Sequence, residues 1–241
     1  MLGTIVNAIT AVIGSCIGLV IRGGIDKKLE DSIMKVLGLA SLFIGLSTAL
    51  GGLLNENAEP VLFIISLVLG TVVGEKLDIE GKMDNLGDKL QSAMGGKGGN
   101  VSQGFVTASL TFCVGTMSIL GSLESGLNGN HSVLFAKSVL DFTSAIIFSS
   151  TMGIGVMFAA ITILVYQGGI TLFSSAIGPF ITADMIREIS IVGGIMIFAI
   201  GCNLSKTNKF KVANMLPALV VPVIYYLPFV NSIFKSITSW F

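Results

Sequence analysis

Apolar runs long enough for membrane helices follow one another along this chain, separated by short polar links. The first, residues 5–21, carries Gly14 and Gly18, a GxxxG spacing that lets a second helix approach closely. Arg22, Lys27, Lys28 and Lys35 follow. Leu29, Ile33 and Met34 recur among them at helical spacing, which predicts a short amphipathic helix at the membrane surface. Apolar runs then cover 36–54 and 61–73, the second leading into another GxxxG at Gly70 and Gly74. From 75 to 99 the chain turns charged. Ile79, Met83, Leu86 and Leu90 keep an amphipathic helical period there, and Gly95 to Gly99 (GGKGG) reads as a flexible linker. Five more runs follow at 105–123, 134–150, 156–176, 189–202 and 216–230, the last holding Pro217, Pro222 and Pro228. The pattern predicts an all-α protein, a polytopic transmembrane bundle of about eight spans in one integral membrane domain. Residues 3–74 hold the first three spans, 75–102 a cytoplasmic amphipathic helix and Gly-rich linker, and 103–241 the remaining spans.

One run is interrupted. Gln167-Gly168-Gly169 places a polar, flexible break inside 156–176. It predicts either a discontinuous span of the kind transporters use, or a helix ending at Tyr166 with a surface or re-entrant piece behind it.

Composition fits the membrane reading. Charged residues make up 12% of the chain, against roughly 25% in a soluble domain, and hydrophobic ones 52%. The formal net charge of zero argues against nucleic acid as a partner. Lys and Arg gather in the links between spans one and two, three and four, and seven and eight, and are missing from the links two–three and four–five. The positive-inside rule then puts the basic links in the cytoplasm and both termini outside. The opening MLGTIVNAIT has neither a basic leader nor a small-residue cleavage site, so it reads as a retained first helix. Trp240-Phe241 reads as an interfacial anchor. Cys16, Cys113 and Cys202 share no metal-ligand spacing and read as small buried side chains.

The first and last three spans also resemble each other. At a constant offset Leu29 falls on Met185, Ile33 on Ile189, Gly38 on Gly194 and Gly45 on Gly201. With a two-residue gap Gly14 falls on Gly168 and Gly24 on Gly178. The shift is an odd number of spans, so the copies would be inverted across the membrane, as in many secondary transporters.

The chemistry concentrates between Thr111 and Ser150. Gly115, Thr116 and Ser118 put small and hydroxyl-bearing residues on a hydrophobic segment, and Lys137 and Asp141 sit four apart inside the next one. Charges within an apolar span are costly and mark either a structural ion pair or a lining for solute or coupling ion. Lys137 could instead snorkel outward. Gln167 and Asn7 are the polar groups of the two repeat starts and serve equally as helix–helix hydrogen bonds or as ligands. Glu124 reads as interfacial, and Asn214 as a cap before Pro217. A single histidine, His131, rules against a His-rich metal site; no phosphate-binding loop occurs and the serines lack a base, so no enzyme is expected.

The motifs CVGTMSILGSLESGL, KSVLDF, YQGGITL and VANMLPAL, in that order, together with the opening GTIVNAITAVIGSCIGL, resemble the YdfK/YqgA-type bacterial membrane family, a domain of unknown function. The resemblance spans essentially the whole chain. It implies a multi-pass protein of the bacterial inner (cell) membrane and no particular activity. An acidic residue is common in that family where this chain has Asn130 or His131, which lowers the weight on His131.

The sequence therefore favours a secondary transporter or permeation protein for a small solute or ion, with no cofactor beyond a coupling ion, Na⁺ or H⁺. The alternatives are a non-transporting scaffold that associates with lipids and with its own copies as a homo-oligomer, and an ion channel. The topology has a direct test. In a chain cleared of native cysteines, a Cys at position 57 is expected to react with an impermeant maleimide on intact cells and a Cys at position 97 is not. The reverse pattern overturns the assignment.

Overall fold

The computed structural model describes residues 1–22, 27–93, 101–113 and 116–227, and among these it is helical with no strand. The helices are α1 (Leu2–Arg22), α2 (Lys27–Leu53), α3 (Pro60–Leu77), α4 (Ile79–Ala93), α5 (Val101–Cys113), α6 (Thr116–Leu127), α7 (Ser132–Met152), α8 (Gly155–Leu172), α9 (Ser174–Ile177) and α10 (Ala183–Leu204). A short 3₁₀ turn (Gly178–Phe180) precedes α10. A longer 3₁₀ segment (Val212–Leu219) follows it and runs into α11 (Val220–Tyr225).

Six of these helices, α1, α2, α3, α7, α8 and α10, are long and apolar enough to cross a membrane, and α5 with α6 makes a seventh if the bent pair is one span. Of the eighth expected span, the described residues hold Val212–Tyr225, an apolar stretch shorter than a full span, with Pro217 inside its 3₁₀ part. Proline cannot donate to a helical ladder and blocks a regular α-turn, which accounts for the 3₁₀ geometry. Pro228 and the Trp240-Phe241 anchor lie outside the described residues, as do Gly24 and the GGKGG linker. The amphipathic piece expected after Arg22 is not a separate helix. It is the first turns of α2, which continues unbroken to Leu53. The helix expected from Ile79 is α4.

Large apolar side chains cover much of the surface, and polar groups are buried among an apolar core. Val36, Phe43, Val61 and Val68 are more than half exposed, while Thr4, Asn7, Ser66, Ser118 and Gln167 are fully buried. That inversion suits a chain solvated by lipid, where only internal partners can satisfy polar groups. At the centre is α10, with 78% of its most apolar window buried, against 22% for α3 at the edge.

Glycine sets how the helices meet. In α2 and α10, a Cβ at Gly194 would lie 2.7 Å from the Ala49 amide nitrogen and 2.8 Å from the Gly45 carbonyl oxygen. At Gly201 it would lie 2.6 Å from the Leu42 nitrogen and 2.9 Å from the Gly38 oxygen. These contacts run in opposite sequence directions, so α2 and α10 pack antiparallel, backbone on backbone. Helix α1 packs instead on α7 in parallel, with Gly3 against Leu134, Gly14 against Phe142 and Ala145, and Gly18 against Ile146 and Ser149. The turn between α7 and α8 needs Gly153, whose φ of 83° is a region side chains disfavour.

The broken span is not where the sequence places it. α8 runs through Gln167, Gly168 and Gly169 to Leu172 without a break. The bend falls two spans earlier, between α5 and α6, whose axes differ by 59°.

Ion pairs bring the basic links to one end of the bundle. Lys206, beyond α10, binds Asp31 on α2 at 2.7 Å, and Lys211 binds Glu75 on α3 at 3.0 Å. At the opposite end, the backbone between α2 and α3 receives Arg187 of α10 through the Asn57 carbonyl.

Gly194→Val places methyl groups into the α2 backbone, which cannot yield. It is expected to lower the detergent-solubilised melting temperature by the equivalent of about 1–3 kcal/mol. Gly51→Ala, where a Cβ meets nothing within 4 Å, is expected to leave it unchanged or raise it slightly.

Candidate functional site

Helix spacing builds the site from α7 outward. Lys137 and Asp141 lie one turn apart on one face, and the ammonium reaches both carboxylate oxygens, at 2.8 and 2.6 Å. Both residues are buried, 7% and 5% exposed. That burial rules out a snorkelling lysine. Because α1 runs parallel to α7 and close to it, Asn7 meets the pair. Its Nδ2 donates to Asp141 Oδ2 at 3.0 Å and to Gln167 Oε1 on α8 at 3.2 Å. Gln167 Nε2 donates in turn to Ser118 Oγ on α6 at 2.9 Å. Ser118 Oγ donates to the Phe112 carbonyl at 3.4 Å.

The network thus passes from an ammonium through a carboxylate, two amides and a hydroxyl to a backbone carbonyl. It ties α1, α6, α7 and α8 together and ends at the break behind α5. Phe112 is in the last turn of α5, where a helix that stops leaves carbonyls without intrahelical donors. Ser118 supplies one. One acceptor is left over: Asn7 Oδ1 is buried and has no hydrogen-bond partner among the described residues. Beside it, Thr4 and Thr171 share a hydrogen bond of 3.4 Å one turn along α1 and α8.

Five of the residues singled out from the sequence therefore converge: Lys137, Asp141, Asn7, Gln167 and Ser118. Gly115 lies outside the described residues, and Thr116 opens α6 without a described side chain. Glu124 and His131 sit apart, at the exposed α6–α7 turn. Glu124 accepts from Asn130 at 3.4 Å, and His131 Nδ1 shares a hydrogen bond with Ser125 at 2.9 Å. Among the described residues no group of three His, Cys, Asp or Glu is placed to hold a metal ion.

Glu188 escapes the sequence reading. It is fully buried on α10, and its Oε1 accepts the backbone N–H of Glu59 at 3.0 Å, capping the start of α3 ahead of Pro60. Its second oxygen has no partner among the described residues. The available signal is a carboxylate next to Arg187 at the margin of an apolar run. Asn214 is a cap, though not of its own segment: its Oδ1 accepts from Glu80 N at 2.7 Å, while Glu80 Oε2 accepts from Ala213 N at 2.8 Å. Burial pushes the Glu80 carboxyl above its ordinary range.

Three cavities lined by described residues flank the network without including it. One, of about 470 Å³, lies at the basic end between α4, α5 and the chain beyond α10, with Asp84, Thr107 and Lys209 on its walls. A second, of about 380 Å³, is almost wholly apolar and runs between α5, α8 and α10, with Cys113 and Tyr166 at one end. A third, of about 510 Å³, lies at the opposite end between α2, α6 and α10, around Arg187 and Ser190.

The chain matches the DUF554 family, described as a protein of unknown function, over residues 2–227. It is 36% identical over 222 residues to the uncharacterized membrane protein YdfK of Bacillus subtilis (strain 168), covering 92% of this chain and 94% of that one. It is 30% identical over 226 residues to the uncharacterized protein YqgA of Escherichia coli (strain K12), again covering 92% and 94%. No solved structure matches the chain significantly.

The network makes opposite demands of single and double changes. Asp141→Asn strands the Lys137 ammonium and Lys137→Met strands the carboxylate, so each is expected to lose roughly 3–5 kcal/mol. The double change Lys137→Met with Asp141→Leu removes both charges and is expected to recover most of that loss. Denaturation of the purified proteins in one detergent compares the three. A double mutant as unstable as either single one would mean that the charges do not compensate each other.

Proposed function

The chain belongs to the DUF554 family, and on that footing we propose that this multi-pass membrane protein is a secondary transporter for a small solute, resident in the bacterial inner membrane. The Lys137–Asp141 network is its gate and coupling site, working with H⁺ or Na⁺. The observation that carries this reading is a charged, incompletely satisfied network lying against a helix break. A structural ion pair needs no orphan acceptor, whereas Asn7 Oδ1 is held buried and free to receive a donor or a cation. Asp141 is the only carboxylate in the network, and uptake of a proton there would release Lys137 and Asn7 together.

Two further features support it. Polar cavities lie at both ends of α10, as an occluded carrier between two openings would have. In addition, α1 packs with α8, α2 with α10, and α3 with the 3₁₀ segment after α10. An inverted repeat relates the same segments. In that relation Gly38 corresponds to Gly194 and Gly45 to Gly201, and the contacts are the exchanged ones, Gly38 with Gly201 and Gly45 with Gly194. A two-fold axis in the membrane plane produces such an exchange.

The second reading is a scaffold that associates with its own copies. It is favoured by the closure of the network between helices, away from the three cavities. Ligand-dependent stability decides between them. The purified protein is expected to melt higher in the presence of one class among alkali cations, amino acids and organic acids, since a ligand that binds the native state stabilises by mass action. The shift is expected to vanish in Asp141→Asn, and proteoliposomes are expected to accumulate the same solute down an imposed H⁺ or Na⁺ gradient. A protein unmoved by every class, and migrating as a stable oligomer, would support the scaffold.

A further inference from the structure

The polar cavity at the basic end and the apolar cavity inside the bundle share a wall at Val106. They follow one helix. On α5 the polar one begins at Ser102 and Gln103, and the apolar one reaches Cys113. Eleven residues of helix rise about 16 Å, close to half of a hydrocarbon core of roughly 30 Å. Together the two cavities therefore run along α5 over a length close to the depth of one leaflet. Amphipathic α4 lies across the junction. It contributes Glu80 and Asp84 to the polar cavity and Met83 to the apolar one.

The polar part carries both signs of charge. Lys209 on one wall and Asp84 on another make no ion pair among the described residues, while Lys206 is engaged by Asp31 and Glu80 by the Ala213 amide. The first turn of α5, the positive end of its dipole, lines the same space. Thr107 is 2% exposed and lines the cavity. The inner part offers nothing comparable: Phe105, Leu110, Leu216 and Leu219 dominate its walls. A hydrated ion or an amino acid would lose its water there with little in return.

We propose that the joined cavities bind one phospholipid-derived amphiphile with a zwitterionic phospho-amine headgroup. The phosphate lies toward Lys209 and the start of α5, the ammonium toward Asp84, and the acyl chain in the apolar cavity behind Val106. The site is separate from the Lys137–Asp141 network and does not depend on transport.

The full-length protein, purified and delipidated in a non-ionic detergent, tests this with oleoyl lysophosphatidylethanolamine as the probe. Thermal stabilisation and native mass spectrometry report binding. The probe is expected to raise the melting temperature saturably and to remain as a one-to-one adduct. Oleoyl lysophosphatidylglycerol and oleate are expected to bind about tenfold more weakly, a difference of about 1.4 kcal/mol. Lys209→Glu and Asp84→Lys, both at exposed positions, should each reduce the preference for the phospho-amine lipid while leaving the lipid-free melting temperature in place. Val106→Phe should block the passage and abolish the adduct. If Val106→Phe does not fold, the two charge reversals still decide. Equal binding of all three lipids, insensitive to Lys209→Glu and Asp84→Lys, overturns the proposal in favour of unselective annular lipid. Equal stabilisation by free phosphoethanolamine, with no need for a chain, overturns it in favour of a soluble ligand.

Discussion

A lysine and an aspartate buried inside a membrane bundle, 7% and 5% exposed, must find their partners in each other and in the helices around them. The pairing of Lys137 with Asp141 meets the first requirement. The second fixes much of the architecture. Asp141 needs a further donor, so α1 must bring Asn7; Asn7 has a second N–H, so α8 must bring Gln167; Gln167 has its own N–H, so α6 must bring Ser118. Each polar group recruits the next helix. The apolar side chains around the network supply dispersion contacts, but lipid tails would supply similar ones. Direction and register come from the polar chain and from the glycines that let the helices come within its reach.

The glycines act as a second, independent constraint. Backbone-to-backbone packing of α2 on α10 leaves no slack for a side chain, so those two helices behave as one unit with α10 at the centre. The α1–α7 pair forms another unit, and the bent α5–α6 pair lies alongside α8. Two of the cavities lined by described residues border α5, α8 and α10, outside these pairs, and the third opens between α2 and α10 around Gly51 and Arg187, beyond the closed contacts at Gly194 and Gly201.

Much of this is legible in the sequence, and for a definite reason. Lys137 and Asp141 stand out because charge in an apolar run is rare, and Asn7 and Gln167 because amides in such runs need partners. Gly38, Gly45, Gly194 and Gly201 stand out by spacing. Other features depend on packing, which the sequence does not display. Gln167-Gly168-Gly169 carries every local mark of a break, yet α8 stays helical there because the Gln167 side chain, not its backbone, supplies the polar contacts. The bend falls instead between Cys113 and Thr116, where the flanking residues look no more disruptive. Glu188 is hidden at the margin of its run. There an interfacial charge and a buried cap look alike until the neighbouring helix start, at Glu59, is known. The segment from Val212 has an apolar composition suited to a regular α-helical span, and only the geometry around Pro217 shows its first part to be 3₁₀.

The parallel pairing of α1 with α7 has a consequence for how the chain is made. Helix α1 leaves the ribosome long before α7, and the residues it packs against there lie about 130 positions later; α2 waits at least as long for α10. Until then Asn7 has neither carboxylate nor amide to meet, and the glycine faces of α1 and α2 lie open to lipid or to each other. Assembly is therefore deferred: the early helices are inserted, held unpaired, and locked only when the α7–α8 hairpin and then α10 arrive. Contacts this distant in sequence are slow to close and leave incomplete chains exposed to wrong partners. Quality control during biosynthesis has a ready mark of an unfinished molecule in a lone asparagine facing lipid.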